Sequence, residues 1–439
     1  MPHFYQTQDF LLLMFATFWI LVWIFVRILH LLAILYGKWR LHQKRKIGIN
    51  TLEHSVPGVS ILKPVCESDD DCLLFSNLET FFTLEYPGQF EIIFCVQDAS
   101  DIISGYIKEL KSMYPKVDTQ VFVGGKNVGV NPKINNMYPG FTASKYELIL
   151  VSDSRIRMEK DTLVNMVSDM TENVGLVHQM PFTCDQSGEN RSVATLEKIH
   201  FGTSFARMYL VANFIGLNCA VGMSELIRKS ILEDSGGLKS FGKYLAEDFF
   251  FAQAVLDSGH KICISSEPAW QNSRLKSIAT FQNRVTRWTK LRTVMCPFTT
   301  FCEPFSECML LGILATCSAL IAFQWDPTSV FFIHILVWFL MDWVLLLVVQ
   351  NGTLPFNKFE FLVMWMYREV TLPYLYVISL LHRDIKWGTK RFRLKFGGIA
   401  ELNEEEVQVP QKSKILPEQT IISTFLNEFK SQKPLLNSG

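Results

Sequence analysis

The sequence predicts an α/β protein, with a mostly parallel sheet flanked by helices and with membrane helices before and after this domain. Two observations carry this prediction. Short β-rich stretches alternate with helix-like stretches through the middle of the chain, which is typical of a parallel sheet. Long uncharged stretches lie on either side, and 49% of the 439 residues are hydrophobic, which indicates contact with lipid.

The first membrane segment is predicted at residues 10–36. Its first part, FLLLMFATFWILVWIFV, has no charge and is long enough to span a bilayer with some tilt. No small-residue cleavage site follows it, which argues against a signal peptide. Five Lys and Arg residues follow at 38–46, so the positive-inside rule places residues 1–9 in the lumen and the next domain in the cytosol.

The soluble domain is predicted at residues 55–295. Five short, β-rich stretches mark its strands: 59–65, 90–98, 119–125, 147–154 and 174–180. In parallel sheets, ligands bind beyond the carboxyl ends of the strands. Asp98 and Asp153 lie at two such ends, so we expect them to face a ligand.

Hydrophobic sequence returns after this domain. Residues 296–308 are predicted to lie at the membrane interface, and residues 309–325 and 328–349 are predicted to cross the membrane. Only Asp326 and Pro327 separate the two crossing segments, which therefore form a helical hairpin.

A third apolar stretch, at residues 361–381, carries Arg368 and Glu369, which are costly against lipid. It either lies in the interface or crosses. If it does not cross, the basic segment 383–395 stays on the cytosolic side, as the positive-inside rule favours. The polar residues 400–439 are predicted to be a disordered tail.

Overall charge and cysteine spacing exclude two classes of protein. Lys and Arg together number 42, as do Asp and Glu, so the basic bias of a nucleic-acid-binding protein is missing. The ten cysteines show no CxxC pair and no zinc-type Cys/His spacing. Reduced thiols in a cytosolic domain explain them best.

The two strand-end acids each allow two interpretations. Asp98 either accepts hydrogen bonds from a nucleobase or ribose, or caps the following helix. Asp153 either holds a divalent cation that bridges two phosphates, or forms a cap or turn. The third position of an Asp-x-Asp pair is Arg155 here, so two neighbouring acids are not available for a metal.

Two further stretches suit phosphate and acid–base chemistry. GGKNVGVNPKINN, at 124–136, combines glycines with Lys133 before a helix, which suits anion binding without P-loop spacing. Glu247 and Asp248 precede a run of aromatic residues, where a raised pKa favours a general base. The alternative is the first turn of an amphipathic helix.

The stretch RVTRW places Arg284 and Arg287 on one helix face, followed by Trp288. Guanidinium groups suit bidentate phosphate binding, and an indole ring can form a wall of a pocket. The alternative is an interface helix with a Trp anchor and basic flanks.

The order of these motifs resembles that of the inverting glycosyltransferases related to family 2: Asp98, Asp153 and Asp248, then R-x-x-R-W at 284–288. Longer strings, including NLETFFTLEYP, GGKNVGVNPKINN, AEDFFFA and RVTRWTKLR, are similar to those of the family 21 ceramide glucosyltransferases. The similarity covers roughly residues 55–400. It implies a GT-A-type fold and transfer of glucose from UDP-glucose to ceramide, with inversion, at the cytosolic face of the Golgi.

The resemblance also implies roles for individual residues. Asp98 contacts the nucleotide, Asp153 contacts the diphosphate and a Mg²⁺ or Mn²⁺ ion, and Asp248 is the catalytic base. Lys133 contacts a phosphate. The diphosphate and acceptor site comprises Arg284, Arg287 and Trp288. The implied partners are UDP-glucose, ceramide and the lipid bilayer, and the sequence leaves open whether the chain forms a homo-oligomer.

The chain departs from the family pattern at two positions. Phe205 stands where animal members commonly have His, and Arg155 replaces a small residue. Two rival functions are a processive polysaccharide synthase, which usually has more membrane spans, and a non-catalytic binder of lipid or nucleotide.

Overall fold

A computed structural model describes residues 2–43, 56–66, 73–98, 100–185, 191–272, 277–382, 384–388 and 390–403. The chain divides into two units, Met1–Leu402 and Asn403–Gly439. Of the second unit, only Asn403 is among the described residues.

Seven strands form the central sheet: β1 Val59–Val65, β2 Phe90–Val96, β3 Asp118–Val123, β4 Leu148–Ser152, β6 Val174–His178, β8 Ser224–Arg228 and β9 Lys261–Ile264. Their order across the sheet is β3-β2-β1-β4-β8-β6-β9. All pairs are parallel except the two that involve β8. The predicted α/β fold class is therefore confirmed, with one antiparallel strand inserted.

Helices cover the sheet and extend beyond it: α1 Pro2–Arg40, α2 Leu74–Phe82, α3 Asp101–Met113, α4 Pro132–Ala143, α5 Thr162–Asp169, α6 Arg191–His200, α7 Ala206–Phe214, α8 Lys229–Asp234, α9 Glu247–Asp257, α10 Ile278–Met295, α11 Pro297–Cys302, α12 Cys308–Phe323, α13 Pro327–Gln350 and α14 Lys358–Leu381. Strands β1 and β4 are buried along their whole length. This explains their mostly apolar sequences, because a parallel sheet covered on both faces has no solvent side.

The sheet topology brings several chain segments to one edge. Strands β1 to β4 are mutually parallel and end there. Strand β8 begins at the same edge because it runs antiparallel to β4, with Ser224 opposite Ser152. This edge therefore receives Asp98, Asp153 and the residues just before β8.

Two of the described helices are long and apolar enough to cross a membrane, at Asp9–Arg40 and Pro327–Gln350. The helical segments Pro297–Ser306 and Cys308–Phe323 are bent by 64° relative to each other. If these two segments together form one span, the described residues contain a third span. Helices α12 and α13 form a hairpin, and the Asp326 side chain caps α13 by accepting a hydrogen bond from Ser329 N at 2.7 Å.

Buried charges connect the long helices. Asp342 of α13 is fully buried and lies 2.9 Å from Arg368 Nη2 of α14 and 3.2 Å from His30 Nε2 of α1. Its Oδ2 also accepts a hydrogen bond from Trp365 Nε1 at 2.8 Å. Arg368 further contacts Thr203 and Glu369. The charges that are costly against lipid thus face protein.

We expect Asp342→Asn to lower the free energy of unfolding by about 1.5–3 kcal/mol, because Arg368 would lose one charged hydrogen-bond partner and keep only Glu369 as a buried carboxylate partner among the described residues. Thermal unfolding of the detergent-purified protein measures this loss. Asp326→Asn is the matched control, since Asn caps a helix as well as Asp does. Equal melting temperatures for the two variants would show that the ion pair contributes no stability.

Two three-stranded sheets complete the fold. One has the order β5-β10-β7 and contains β5 Ile156–Arg157, β7 Pro181–Thr183 and β10 Ala269–Gln271. The other contains β11 Asp384–Trp387, β12 Lys390–Leu394 and β13 Ala400–Leu402. The predicted disordered tail was placed from residue 400, which is wrong for Ala400–Leu402 because these residues pair with β12. Residues 404–439 lie outside the described residues.

Candidate active site

Helix α4 begins at the edge of the sheet where strands β1 to β4 end. Asn131 caps it, with its side-chain oxygen accepting from Lys133 N at 2.7 Å and Ile134 N at 3.3 Å. Pro132 occupies the first turn, where its missing N–H costs nothing. The amide nitrogen of Asn131 donates to Glu247 Oε2 at 2.8 Å. This one side chain therefore fixes both the start of α4 and a carboxylate of α9.

Lys133 is held in the middle of this edge. Its Nζ lies 2.9 Å from Asp153 Oδ1 and 2.9 Å from Glu247 Oε1, and donates to Gly222 O at 3.0 Å. Burial alone would lower the pKa of Lys133, but the two carboxylates outweigh burial and hold the pKa well above its usual value. The ammonium group is therefore a permanent positive charge.

Asp248 lies beside this group in the first turn of α9. Its Oδ2 accepts a hydrogen bond from Gly222 N at 2.5 Å. Burial, followed by the charge of Glu247, raises the pKa of Asp248 to about 6. Gly222 permits the approach, since a Cβ there would lie 2.9 Å from Asp248 Cβ. Asp248 is thus a carboxylate at neutral pH that is basic enough to accept a proton.

Asp98 is exposed just beyond β2 and accepts a hydrogen bond from Gln97 Nε2 at 3.1 Å. The residue that caps α3 is Ser100, so the structure does not support the helix-cap interpretation of Asp98. In the described part of the chain, no hydrogen bond or ion pair joins Asp98 to Lys133, Asp153 or Asp248.

Arg284 of α10 is held by other protein groups. Its Nη1 donates to Glu197 Oε1 at 2.9 Å, and its Nη2 donates to Gln271 Oε1 at 2.6 Å. The guanidinium lies over the Trp288 ring, 4.7 Å from the ring centre. The hydrogen bonds to Glu197 and Gln271 fix its orientation and leave it less free to turn toward a ligand.

Arg287 differs from Arg284, because no ion pair to it exists among the described residues. Its guanidinium lies 5.7 Å from the centre of the Trp387 ring. Burial, and then the neighbouring charges of Arg284 and Arg155, lower the pKa of Arg287 to about 10. It therefore remains charged at neutral pH, and no carboxylate of the described residues neutralises it, which favours binding of an anion.

Trp288 packs against a π-helical turn at Phe201–Phe205. Its ring centre lies 5.8 Å from that of Phe201 and 6.4 Å from that of Phe205. Phe205 is buried and stacks on Tyr209 at 5.8 Å. Phe205, which we expected to depart from the family pattern, therefore contributes to an aromatic wall.

Comparison with known proteins identifies the family. The profile described as glycosyl transferase family 21 matches residues 25–400. The chain belongs to glycosyl transferase family 21. Ceramide glucosyltransferase 3 of Caenorhabditis elegans is 39% identical over 84% of this chain and 79% of its own length. Ceramide glucosyltransferase 1 of the same species is 37% identical, over 88% and 82%.

More distant proteins also match. The ceramide glucosyltransferase of Komagataella phaffii is 26% identical over 86% of this chain and 89% of its own. Among solved structures, a mannosyltransferase from Pyrobaculum calidifontis in complex with GDP-Man and Mn²⁺ is similar over 76% of this chain and 98% of its own. Its sequence identity is 13% and its TM-score is 0.42, a likeness too weak to say more about this chain.

In this family 21 chain, the structure brings Lys133, Asp153 and Asp248 together around Gly222, and it places Arg284, Arg287 and Trp288 on α10. Sequence reasoning did not assign roles to four supporting residues: Asn131, Glu197, Glu247 and Gln271. The sequence offered a clue for Glu247, because this residue directly precedes Asp248. The sequence offered no clue for Glu197 and Gln271, because they contact Arg284 only in the folded chain.

The donor atoms at this edge limit how a metal could be held. No group of three or more His, Cys, Asp or Glu side chains able to hold a metal occurs among the described residues. Asp153 is half-exposed, and Lys133 lies between it and Glu247. Within this cluster, Asp153 thus offers a cation one partly accessible carboxylate, which fits Mg²⁺ or Mn²⁺ only if phosphates and water supply the other ligands.

Proposed function

We propose that this family 21 glycosyltransferase transfers glucose from UDP-glucose to ceramide with inversion, giving β-glucosylceramide and UDP. The observation that carries the proposal is the contact between Gly222 N and Asp248, which holds one basic carboxylate beside the charged Lys133. The names of the two similar Caenorhabditis elegans proteins support glucose as the sugar and ceramide as the acceptor.

The reaction is a single displacement at the sugar. The primary hydroxyl oxygen of ceramide forms a bond to C1 of glucose, and the bond from C1 to the β-phosphate oxygen of UDP breaks. Asp248 takes the hydroxyl proton. One base suffices, because an inverting reaction forms no covalent intermediate with the protein.

The leaving diphosphate gains negative charge as the bond breaks, and cations placed nearby stabilise that charge. Lys133 and Arg287 are the charged groups that we assign to this role. A Mg²⁺ or Mn²⁺ ion bound at Asp153 would add positive charge at the diphosphate. Asp98 binds the nucleotide, since its exposed carboxylate at the end of β2 can accept hydrogen bonds from ribose or uracil.

The acceptor is a lipid, so its hydroxyl must reach Asp248 from a membrane. Trp288, backed by Phe201 and Phe205, forms the apolar wall along which we place ceramide. The apolar helices α1 and α13 hold the domain at the bilayer. We place the enzyme in the Golgi membrane with this domain in the cytosol, where UDP-glucose is available.

The test is transfer by the detergent-purified full chain, supplied with UDP-[³H]glucose, ceramide and Mg²⁺ or Mn²⁺. We expect a labelled glycolipid of one added hexose. No labelled lipid across several ceramide lengths and both ions would disprove the proposal. A labelled polymer would instead support a polysaccharide synthase, and donor binding without turnover would support a non-catalytic binder.

We expect kcat/KM to rise with pH and to level off above a midpoint near 6, because Asp248 accepts a proton only when ionised and its pKa is raised to about 6. Below the midpoint the rate should fall about tenfold per pH unit, as for loss of one base. Initial rates from pH 5 to pH 8 measure this. A flat profile over that range would contradict an essential base with this pKa.

A further inference from the structure

Helix α14 presents a continuous apolar stripe on its outer face. Exposed positions recur every three or four residues, which keeps them on one side of a helix. These include Leu362, Val363, Met366, Val370, Tyr374 and Val377. Val370 and Tyr374 are 63% and 64% exposed, so no described part of the chain covers them.

The opposite face of α14 is packed against protein. Leu375 is buried in a cluster with Leu196 of α6 and Phe281 of α10. Arg368 and Glu369 lie on this inner side and are almost fully buried. The helix is therefore amphipathic in an unusual sense, since its charged residues face the protein and its apolar residues face outward.

Both ends of α14 are attached to the catalytic domain. Near its start, Glu360 Oε2 accepts from Arg191 Nη2, at the beginning of α6, at 2.8 Å. After its end, Asp384 O accepts from Lys290 Nζ of α10 at 3.0 Å. Further on, Ala400 N donates to Lys243 O at 3.0 Å. A helix of 24 residues is about 36 Å long, enough to cross a bilayer, yet both its ends return to one domain.

The apolar stripe of α14 lies next to α11, which precedes the membrane hairpin of α12 and α13. Tyr376 Oη of α14 donates to Thr300 O of α11 at 2.9 Å. On α11, Phe298 and Phe301 are 77% and 66% exposed, and α12 begins six residues after α11 ends. An apolar outer face that adjoins the segment leading into the membrane hairpin is best covered by lipid.

We propose that α14 does not cross the membrane but lies in the plane of the leaflet on the catalytic side, with its stripe in contact with lipid. The proposal is independent of which sugar or acceptor the enzyme uses. It also accounts for the burial of Arg368, which contacts Asp342 and Thr203, and of Glu369, which contacts Arg368. Because α10 packs directly on α14, the helix that carries Trp288 lies one helix away from the bilayer.

Protease protection tests the topology. The full chain carries one epitope tag at its C-terminus and a second between α13 and α14, at residues 352–354, and is expressed in sealed microsomes. We expect both tags to have the same accessibility, since both flank an in-plane helix. One tag protected and the other digested, with both digested after detergent, would place the ends of α14 on opposite sides and overturn the proposal.

Photo-cross-linking tests the lipid contact without using activity. Benzoylphenylalanine replaces Val370 in one variant and, as a matched control, replaces Ile102 in another, because Ile102 is 52% exposed on α3. Irradiation in membranes should attach phospholipid to the first variant and not to the second. Cross-linking of the Val370 variant to a second copy of the chain, or equal lipid attachment in both variants, would overturn the proposal.

Discussion

Asp248→Asn is expected to lower kcat by about 10²–10⁴-fold, the usual contribution of a general base, while UDP-glucose still binds. The amide has the shape of the carboxylate and can accept the hydrogen bond from Gly222 N, so the start of α9 should keep its position. It cannot take the hydroxyl proton. Initial-rate assays and calorimetric titration with UDP-glucose measure the two effects separately.

Asp257→Asn is the matched control for this substitution. Asp257 lies at the exposed end of the same helix, where its Oδ1 accepts a hydrogen bond from Gln253 Nε2 of the preceding turn at 2.9 Å. We expect normal turnover for it. Near-normal turnover of Asp248→Asn would remove Asp248 from the role of base, and loss of donor binding would assign it a structural role instead.

The second large effect is expected at Arg287. Arg287→Met should lower kcat/KM by about 10²–10³-fold, as when one group that stabilises developing negative charge is removed. Stability should change little, because Arg287 has no ion pair to lose among the described residues. The measurements are kcat/KM with UDP-glucose and the melting temperature in detergent.

Arg284→Met provides the comparison, since both arginines lie on α10 but, within the described ranges, Arg284 has an ion pair and Arg287 has none. Glu197 would lose its cation while remaining buried, which costs about 3–5 kcal/mol of stability. We therefore expect Arg284→Met to lower both activity and melting temperature. If Arg287→Met retained normal kinetics, the unpaired arginine would not be the one that contacts the diphosphate.

The parts of the fold that sequence predicted share one property. Strands β1, β2 and β4 are mostly apolar because both faces of the sheet are covered, so their sequences are recognisable without any partner. Strand β8 was not predicted, since SELIR buries Ser224 and Glu225 and has no apolar run. The predicted parallel sheet therefore lacked this antiparallel strand. Because β8 begins two residues after Gly222, it helps to place Gly222 N beside Asp248.

The residues of the candidate site also divide into those that the local sequence indicates and those whose partners depend on the fold. Asp153 was predicted because a strand end in a parallel sheet is a ligand position, and Asp248 because the order of the acids before RVTRW resembles that of inverting glycosyltransferases. The partners of Arg284 were not predictable, since Glu197 lies 87 residues away and meets it only in three dimensions. Likewise, sequence could not tell whether Arg368 faced lipid or protein, as that depends on Asp342 of another helix.

The linkage of the product tests the central claim most directly. Glucose is α-linked in UDP-glucose, so a single displacement with Asp248 as the only base must give a β-linked glycolipid. The purified wild-type enzyme should yield a labelled lipid that β-glucosidase cleaves and α-glucosidase does not. A product cleaved only by α-glucosidase would contradict a single displacement and the role assigned to Asp248.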